Sequence, residues 1–158
     1  MGDEALTEIA ERVRETFPSA FEGTWEDRGD RHIRVKRDGI VGVCRFLKTE
    51  PGLEFVSLID ITAVDWNGQE PRFDLVYQLL SLAHNRRITL HMRVPEKDCR
   101  APTVTVVWRG ADWLEREVFD LMGVRFDGHP DLRRIVLPDD YEGYPLRKEF
   151  PLRGYHQI

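Results

Sequence analysis

The chain has 158 residues, of which 41% are hydrophobic and 32% charged, and its formal net charge is −5. This length suits one domain with a substantial core, and this composition is typical of a globular protein and excludes a disordered one. The acidic balance argues against a general nucleic-acid binder, because such proteins are usually basic.

The N-terminal region reads as a helix followed by two strands. Apolar residues recur at helical spacing from Leu6 to Phe17, and Pro18 ends this pattern. Phe21–Asp27 and Arg31–Arg37 have strand character, and the turn between them falls at residues 28–30.

A second helix and three further strands follow. Apolar residues from Ile40 to Leu47 have helical spacing, and Cys44 lies on their side as a small core residue. The next runs are rich in Val, Ile, Leu, Phe and Tyr, and short turns such as Asn67-Gly68 and His84-Asn85 predict an antiparallel meander. These strand predictions are Leu53–Val64, Arg72–Leu82 and Arg87–Val94.

The segment before the last helix is less regular. Pro95–Pro102 reads as a loop, and Thr103–Trp108 fits either a strand or one helical turn. The whole order is α-β-β-α-β-β-β-α. We therefore predict an α+β fold, with helices packed on a mixed, mostly antiparallel five-stranded sheet. We also predict a single domain over residues 1–137. Residues 138–158 then form a tail and not a separate domain.

The last predicted helix begins near Gly110. Asp112 can cap it, and Glu115 follows three positions later, which is the capping-box spacing. Gly123 suits a left-handed C-cap. The predicted buried face consists of Leu114, Val118, Leu121, Phe119 and Met122.

The same helix carries an unusual density of charge. Glu117 and Asp120 are like-charged neighbours at i, i+3, so we expect cations from elsewhere to compensate them. The candidate cations follow in the same region: Arg133, Arg134, Arg147 and Lys148. The most natural pairs join Glu117 and Asp120 to Arg133 or Arg147.

From Pro138 onwards the pattern is that of an ordered, mostly extended tail, since residues before Pro145 and Pro151 are forced into extended conformations. Such a tail is stable only against another surface, of its own domain or of a partner chain. Aromatic residues beside arginines are typical of interface anchors, so we expect partner docking through the tail. The aromatics concerned are Tyr141, Tyr144, Phe150 and Tyr155, whereas we expect Trp108 and Trp113 to pack within the domain.

Several polar residues could serve acid–base chemistry or metal binding. The suspects are Asp60, Asp65, Glu117, Asp120 and His129. Each has a structural interpretation that we favour. Asp60 interrupts a strand, where it faces solvent or an N–H donor, and Asp65 belongs to the turn sequence Asp65-Trp66-Asn67-Gly68. The helix carboxylates suit ion pairs, and His129 lies between Gly128 and Pro130 in a tight turn. The remaining histidines, His32, His84, His91 and His156, lack metal-ligand spacing.

The sequence contains no phosphate-binding loop, no motif of zinc-dependent hydrolases and no motif of a catalytic nucleophile. We therefore expect no catalytic, cofactor-binding or metal-binding residue in the chain. A stand-alone enzyme or metal protein that uses Glu117, Asp120 and His129 stays as an alternative.

Two further expectations concern compartment and cofactors. Cys44 and Cys99 are far apart in the sequence, so they cannot hold an iron–sulfur cluster alone, and two idle thiols in a reducing cytosol are the expected state.

The N-terminus has no apolar signal region, and no apolar run approaches the ~20 residues of a membrane helix. Any link to a membrane is therefore expected to go through other chains.

A long motif in the last third resembles a known family. It comprises E-R-E-x-x-D-L-M from Glu115 to Met122, His129 after six more residues, Arg133, and the apolar pair Ile135-Val136. The following PDDYEGYPLRKEFPL continues the likeness. The chain resembles the 30-kilodalton subunit, also called the C subunit, of the proton-translocating NADH-quinone oxidoreductase, respiratory complex I.

This resemblance implies a structural subunit of the hydrophilic arm, with no flavin or iron–sulfur cluster of its own. FMN, the clusters and quinone would belong to partner subunits. The chain would pack on the large quinone-site subunit, the D subunit of complex I, beside subunits B and I, peripherally at the cytoplasmic face of the membrane. A related membrane-bound hydrogenase or a ferredoxin- or coenzyme-F420-linked complex would use a similar subunit.

The resemblance also bears on individual residues. It favours one helical turn for Thr103–Trp108. It assigns the motif residues an ionic network that fixes the helix to the tail and the tail to a partner. The residues matched are Glu115, Arg116, Glu117, Asp120, His129 and Arg133.

Overall fold

A computed structural model describes residues 2–155, together with the side chains of that range except those of Asp3 and Ala5. Residues 156–158, and His156 with them, lie outside this range. Three α-helices are present in it: α1, Gly2–Thr16; α2, Ile40–Thr49; and α3, Ala111–Met122. A short 3-10 turn at Arg37–Gly39 leads into α2.

Five strands form the main sheet, in the spatial order β1-β2-β5-β4-β3. Their bounds are β1, Phe21–Asp27; β2, Asp30–Val35; β3, Ser57–Asp65; β4, Phe73–Ser81; and β5, Arg86–Val94. The β1–β2 and β3–β4–β5 pairings are antiparallel, and β2 pairs parallel with β5. The predicted α+β fold, with its mixed and mostly antiparallel sheet, is confirmed.

Two local predictions were wrong. The run from Leu53 begins as a turn, and β3 starts only at Ser57, although Leu53 and Phe55 are fully buried. The predicted loop Pro95–Pro102 contains a short strand, β6 (Arg100–Pro102), which pairs parallel with β7 (Arg125–Asp127). Local patterns could not reveal this pair, because its two halves are short and α3 lies between them.

All three helices contribute to one hydrophobic core on one face of the sheet. On β4 the alternate residues Phe73, Leu75, Tyr77 and Leu79 are buried in this core. Cys44 on α2 is also fully buried there, as predicted, and burial raises the pKa of its thiol. Cys44 and Cys99 are both free thiols. None of the helices described is long and apolar enough to cross a membrane.

Candidate functional site

Helix α3 buries charge where an apolar stripe was expected. Val118 and Met122 are buried as predicted, but Leu114, Phe119 and Leu121 are only half-buried. The fully or nearly buried polar side chains of this helix are Glu115, Arg116 and Asp120. These residues therefore organise the region around α3.

The start of α3 also differs from the prediction. The helix begins at Ala111, and its N-cap residue Gly110 offers no side-chain cap. Asp112 therefore does not cap the helix, and Glu115 is directed into the core instead of forming a capping box. The predicted C-cap is confirmed, since Gly123 has a left-handed φ of 74°.

Asp120 joins α3 to the segment that follows β7. Its carboxylate accepts hydrogen bonds from the backbone N–H groups of residues 135–137, at 3.1, 2.7 and 2.9 Å. Arg134 Nη1 donates to the same carboxylate at 2.8 Å. Burial acts to raise the pKa of Asp120, but these donors outweigh it and lower the pKa. The carboxylate is therefore a fixed anion that orders the chain around it.

The predicted ion pairs of α3 were partly wrong. Asp120 pairs with Arg134 and not with Arg133 or Arg147, and Arg133 is exposed and pairs with Asp131. Glu117 is exposed and has neither predicted partner among the described residues. The cation that reaches a buried site depends on the path of the chain after β7, which sequence spacing does not determine.

Arg116 ties the same segment to the helix by its backbone. Its guanidinium donates to the carbonyl oxygens of Arg133 at 3.0 Å and Arg134 at 3.1 Å. Trp113 lies over this guanidinium at 5.2 Å but is 62% exposed, so the prediction that Trp113 packs within the domain was wrong. Trp108, in contrast, is buried as expected.

His129 is a buried hydrogen-bonding residue of a turn, as predicted. Its Nε2 lies 3.1 Å from the carbonyl oxygen of Asp112, and its Nδ1 accepts from the backbone N–H of Asp131 at 3.0 Å. These partners require the hydrogen on Nε2. The same atom is 3.9 Å from Glu115 Oε2, so His129 and Glu115 adjoin in the interior.

Glu115 fixes the turn that precedes α3. Its carboxylate accepts from Thr103 Oγ1 at 2.6 Å and from the backbone N–H of Val104 at 2.7 Å. Val104 also accepts, through its carbonyl oxygen, from the N–H of Trp108, which closes one helical turn in the ambiguous segment. Burial raises the pKa of Glu115 to about 7, although the two donors oppose this shift.

This raised pKa predicts that stability falls as the pH rises through neutrality. The pKa of Glu115 is about 7 in the fold against an ordinary 4.5, so its contribution is full below pH 4.5 and is lost as the pH passes 7. The difference corresponds to about 3 kcal/mol. We expect Glu115→Gln to flatten the dependence of the urea midpoint on pH between 5 and 8. The control is Glu117→Gln on the exposed side of α3; equal slopes in both variants would contradict the assignment.

The C-terminal tail packs on its own domain as far as residue 150. The backbone N–H of Leu146 donates to the carbonyl oxygen of Leu121, and Arg147 Nε donates to that of Met122 at 2.7 Å. Up to residue 155 the tail has no helix or strand. Between these contacts it follows a series of turns, so it is less extended than predicted.

An ionic cluster around Arg72, which the sequence did not reveal, holds the next residues of the tail. Arg72 donates two hydrogen bonds to Asp65, at 2.8 and 2.7 Å, and also pairs with Glu96 and Glu149. Asp65 accepts in addition from the backbone N–H of Lys148 at 2.8 Å. The interpretation of Asp65 as a turn residue was therefore wrong, because it is a buried ion-pair partner at the end of β3.

The tail aromatics pack on arginines and on one another. Arg134 lies over Tyr141 and Tyr144, and Arg147 lies over Tyr144 at 4.8 Å and Phe73 at 5.0 Å. Phe150 stacks on Tyr141, with ring centroids 6.3 Å apart. Tyr141, Tyr144 and Phe150 stay half-buried. Lys148 is exposed, as are several acidic residues of the tail, so the tail presents aromatic and charged surface outwards.

Large exposed apolar side chains accompany this surface. Leu146 is 57% exposed beside the end of α3, and Val136 is 60% exposed beside Asp120. Others in the last third of the chain are Val106, Trp113, Leu152 and Tyr155. Six of the eleven large apolar side chains that are exposed within the described residues therefore belong to the last third of the chain. Where such groups are contiguous they mark an interaction surface.

The five catalytic suspects do not converge on one site. Asp65, Asp120 and His129 are engaged in three separate networks, Glu117 is exposed and Asp60 lies on β3. Within residues 2–155 no group of three or more His, Cys, Asp or Glu side chains could hold a metal ion. Two histidines that look scattered in the sequence, His32 and His91, are in fact hydrogen-bonded at 2.9 Å.

Comparisons with known proteins agree with the motif. The family model of the respiratory-chain NADH dehydrogenase 30 Kd subunit matches residues 33–156. A relative from Geobacter sulfurreducens, named as the C subunit of NADH-quinone oxidoreductase, is 48% identical over 144 residues, which are 90% of this chain and 88% of the relative. A relative of the same name from Paramagnetospirillum magneticum is 44% identical and covers 98% of this chain and 78% of its own length.

Solved structures agree as well. The trypsin-resistant fragment of Nqo5 superposes with a TM-score of 0.68 at 31% identity, over 81% of this chain and 99% of the fragment. A chain of an archaeal membrane-bound sulfane sulfur reductase gives a TM-score of 0.77, also at 31% identity, over 92% of this chain and 85% of its own. The chain therefore belongs to the family of the 30 Kd subunit of respiratory-chain NADH dehydrogenase, that is, of the C subunit of NADH-quinone oxidoreductase.

Proposed function

We propose that the chain is a non-catalytic structural subunit of the peripheral arm of NADH-quinone oxidoreductase. It supports the quinone-reducing module by docking on the large quinone-site subunit, the D subunit, beside subunits B and I. It associates with the cytoplasmic face of the membrane only through those subunits, and FMN, iron–sulfur clusters and quinone belong to the partners. Family membership supports this assignment.

One structural observation carries the docking role. Buried charges fix α3 to the segment after β7 and to the tail, while the apolar side chains of that same region face outwards. Asp120 orders residues 135–137, yet Val136 among them is 60% exposed. Rigid, exposed apolar groups bind a partner at a low entropic cost, because they are already ordered.

The absence of chemistry in the chain is part of the proposal. The buried carboxylates Asp65 and Asp120 each face an arginine and backbone donors, so they act as structural anions. His129 has both ring nitrogens occupied by backbone groups. Such groups hold the fold and are not available to a substrate.

A related respiratory complex is the second candidate. The likeness to a chain of the membrane-bound sulfane sulfur reductase favours this second candidate, since that protein is an archaeal respiratory membrane complex. A membrane-bound hydrogenase or a ferredoxin- or coenzyme-F420-linked complex would use the chain in the same structural way.

A pull-down of the tagged native chain in mild detergent tests the proposal, with co-purifying proteins identified by mass spectrometry. Recovery of subunits B, D and I with NADH-binding subunits is the expected result. Recovery with a hydrogenase-type large subunit would assign the chain to the second candidate. Recovery of the chain alone would contradict both.

A point substitution tests the docking surface itself. We expect Leu146→Asp to reduce co-purification of the partner subunits about tenfold, because it places a charge in an apolar contact. The matched control is Leu82→Asp, since Leu82 is 66% exposed at the β4–β5 turn. Stability of the isolated chain should change little in both variants, as is usual for surface substitutions. Equal recovery of partners with the two variants would refute the assigned surface.

A further inference from the structure

The face of the main sheet opposite the hydrophobic core carries a cluster of rings and arginines. Trp25 stacks on His32 with ring centroids 5.1 Å apart, and its ring also contacts His91 at 4.8 Å. Arg34 lies over Trp25 at 5.0 Å. These residues come from β1, β2 and β5, so the cluster spans three adjacent strands.

The cluster extends across β4 to the far edge of the sheet. Val64 of β3 lies opposite Asp74 of β4, and Asp74 lies opposite Arg93 of β5. Val64 is 38% exposed, and Trp66, two residues further along, is 44% exposed. We call this surface the open sheet patch; its members are Trp25, Arg34, Val64, Trp66, His91 and Arg93.

The charged side chains of the patch that remain accessible are basic. The carboxylate near its centre, Asp74, is only 5% exposed and accepts from His91 Nδ1 at 2.9 Å. His91 in turn bonds His32, so the negative charge is internally engaged. The acidic residues Asp27, Asp30 and Asp60 occupy the other half of the face, together with Arg87. Arg34 and Arg93, which are both half-buried, therefore give the patch its sign, within a chain of net charge −5. Arg93 Nη2 also donates to the carbonyl oxygen of Pro71.

The composition of this face suits a protein partner. Trp and Arg are enriched at interfaces and Lys is depleted, and the five strands carry no lysine. Strands of up to nine residues, spaced about 4.8 Å apart, give a face of roughly 600 Å². The open sheet patch takes about half of this face, so it would add a contact smaller than the ~800 Å² that each partner buries in a standard interface.

We propose that the open sheet patch is a second docking surface of this subunit and that it receives a carboxylate-bearing segment of a neighbouring subunit. The proposal rests on the proposed function, because it places the chain in a multi-subunit complex. It adds an interface on the side of the domain away from the helices. Acidic side chains of the partner pair with Arg34 and Arg93, and its apolar groups cover Trp25, Val64 and Trp66.

Hydroxyl-radical footprinting tests the surface in the protein as it exists. The tagged free chain and the detergent-solubilised complex that contains it are labelled in parallel, and oxidation of each residue is measured by mass spectrometry. We expect Trp25 and Trp66 to be oxidised in the free chain and protected severalfold in the complex. Equal oxidation in both states would overturn the proposal, while the presence of the chain in the complex would leave the proposed function intact.

Two substitutions at one position test the charge of the partner. Arg34→Gln and Arg34→Glu both remove the contact with Trp25, so their difference isolates the effect of charge. We expect Arg34→Glu to reduce recovery of the complex about tenfold more than Arg34→Gln, because like charges then face each other. The control is Arg45→Glu on the exposed side of α2. Equal losses for the two Arg34 variants, with unchanged melting temperatures of the free chain, would overturn the acidic partner.

Discussion

Replacement of Asp120 by Ala is expected to destabilise the isolated chain by about 3–5 kcal/mol, because it removes the partner of a buried charge and of several backbone donors. The side chain is fully buried and receives hydrogen bonds from Arg134 and from the N–H groups of residues 135–137. For a chain of this length the loss corresponds to a decrease of about 10 °C or more in the melting temperature.

The position allows a graded test. Asp120→Asn keeps one oxygen acceptor but loses the charge that faces Arg134. Its free energy of unfolding should therefore lie between that of the wild type and that of Asp120→Ala. Glu117→Ala on the same helix is the control, since Glu117 is exposed. Urea unfolding of the isolated variants measures the effect, and the level of assembled complex should fall in the same order. Normal assembly with lost electron transfer would contradict a structural role for Asp120.

The fold was predictable because its elements are amphipathic in a simple way. On β4 every second residue from Phe73 to Leu79 enters the core, and the helical spacing in α2 places Cys44 beside it. Period-two and period-3.6 patterns report which side faces the core, and turn residues limit the possible pairings. The pairing of β6 with β7 escaped this reasoning, since each strand has only three residues.

The sequence predicted which residues belong to the candidate site better than it predicted what each of them contacts. Of the six motif residues, Glu115, Arg116, Asp120 and His129 have buried side chains, whereas Glu117 and Arg133 are exposed. Their partners could not be inferred, because charged residues are normally assigned to solvent and the buried side of α3 is an exception. The contrast between exposed Arg133 and Asp120-bound Arg134 depends on how one turn bends the chain after β7.

The cluster around Arg72 was beyond sequence reasoning for a different reason. Its acidic members come from the end of β3, from the loop after β5 and from the tail, up to 77 residues away from Arg72. No local spacing links such positions. A signal was nevertheless present, since Asp65 and Arg72 flank one turn, and two opposite charges there could have been tested as a pair.

Replacement of Arg72 in this cluster is also expected to cause a large loss of stability. Arg72→Met is expected to cost about 3–5 kcal/mol, since it leaves Asp65 as an unpaired buried carboxylate. The side chains of Arg72 and Asp65 are 5% and 1% exposed. The matched control is Arg100→Met, because the Arg100–Asp127 pair is more than half exposed and should contribute at most about 1 kcal/mol. Equal losses of stability for the two variants would refute the importance of burial here.

Two further observations would identify the cause of the loss. The double variant Asp65→Asn/Arg72→Met should be more stable than Arg72→Met alone, because it removes the orphaned charge as well as its partner. Hydrogen exchange at the amide of Lys148 should accelerate in both, since that N–H donates to Asp65 and the tail also loses Glu149 as an anchor.

The pH dependence of this effect has a definite sign. The hydrogen bond from Arg72 is the main reason that the pKa of Asp65 is lowered from its ordinary value of 3.8. The stability from the pair is therefore present above pH 3.8 and is lost as the pH falls through the lower pKa of the folded state. The difference between wild type and Arg72→Met should be large at pH 7 and should shrink under acidic conditions, where the carboxylate of the variant is protonated. A difference that stays constant down to acid unfolding would show that Arg72 acts by packing and not by its charge.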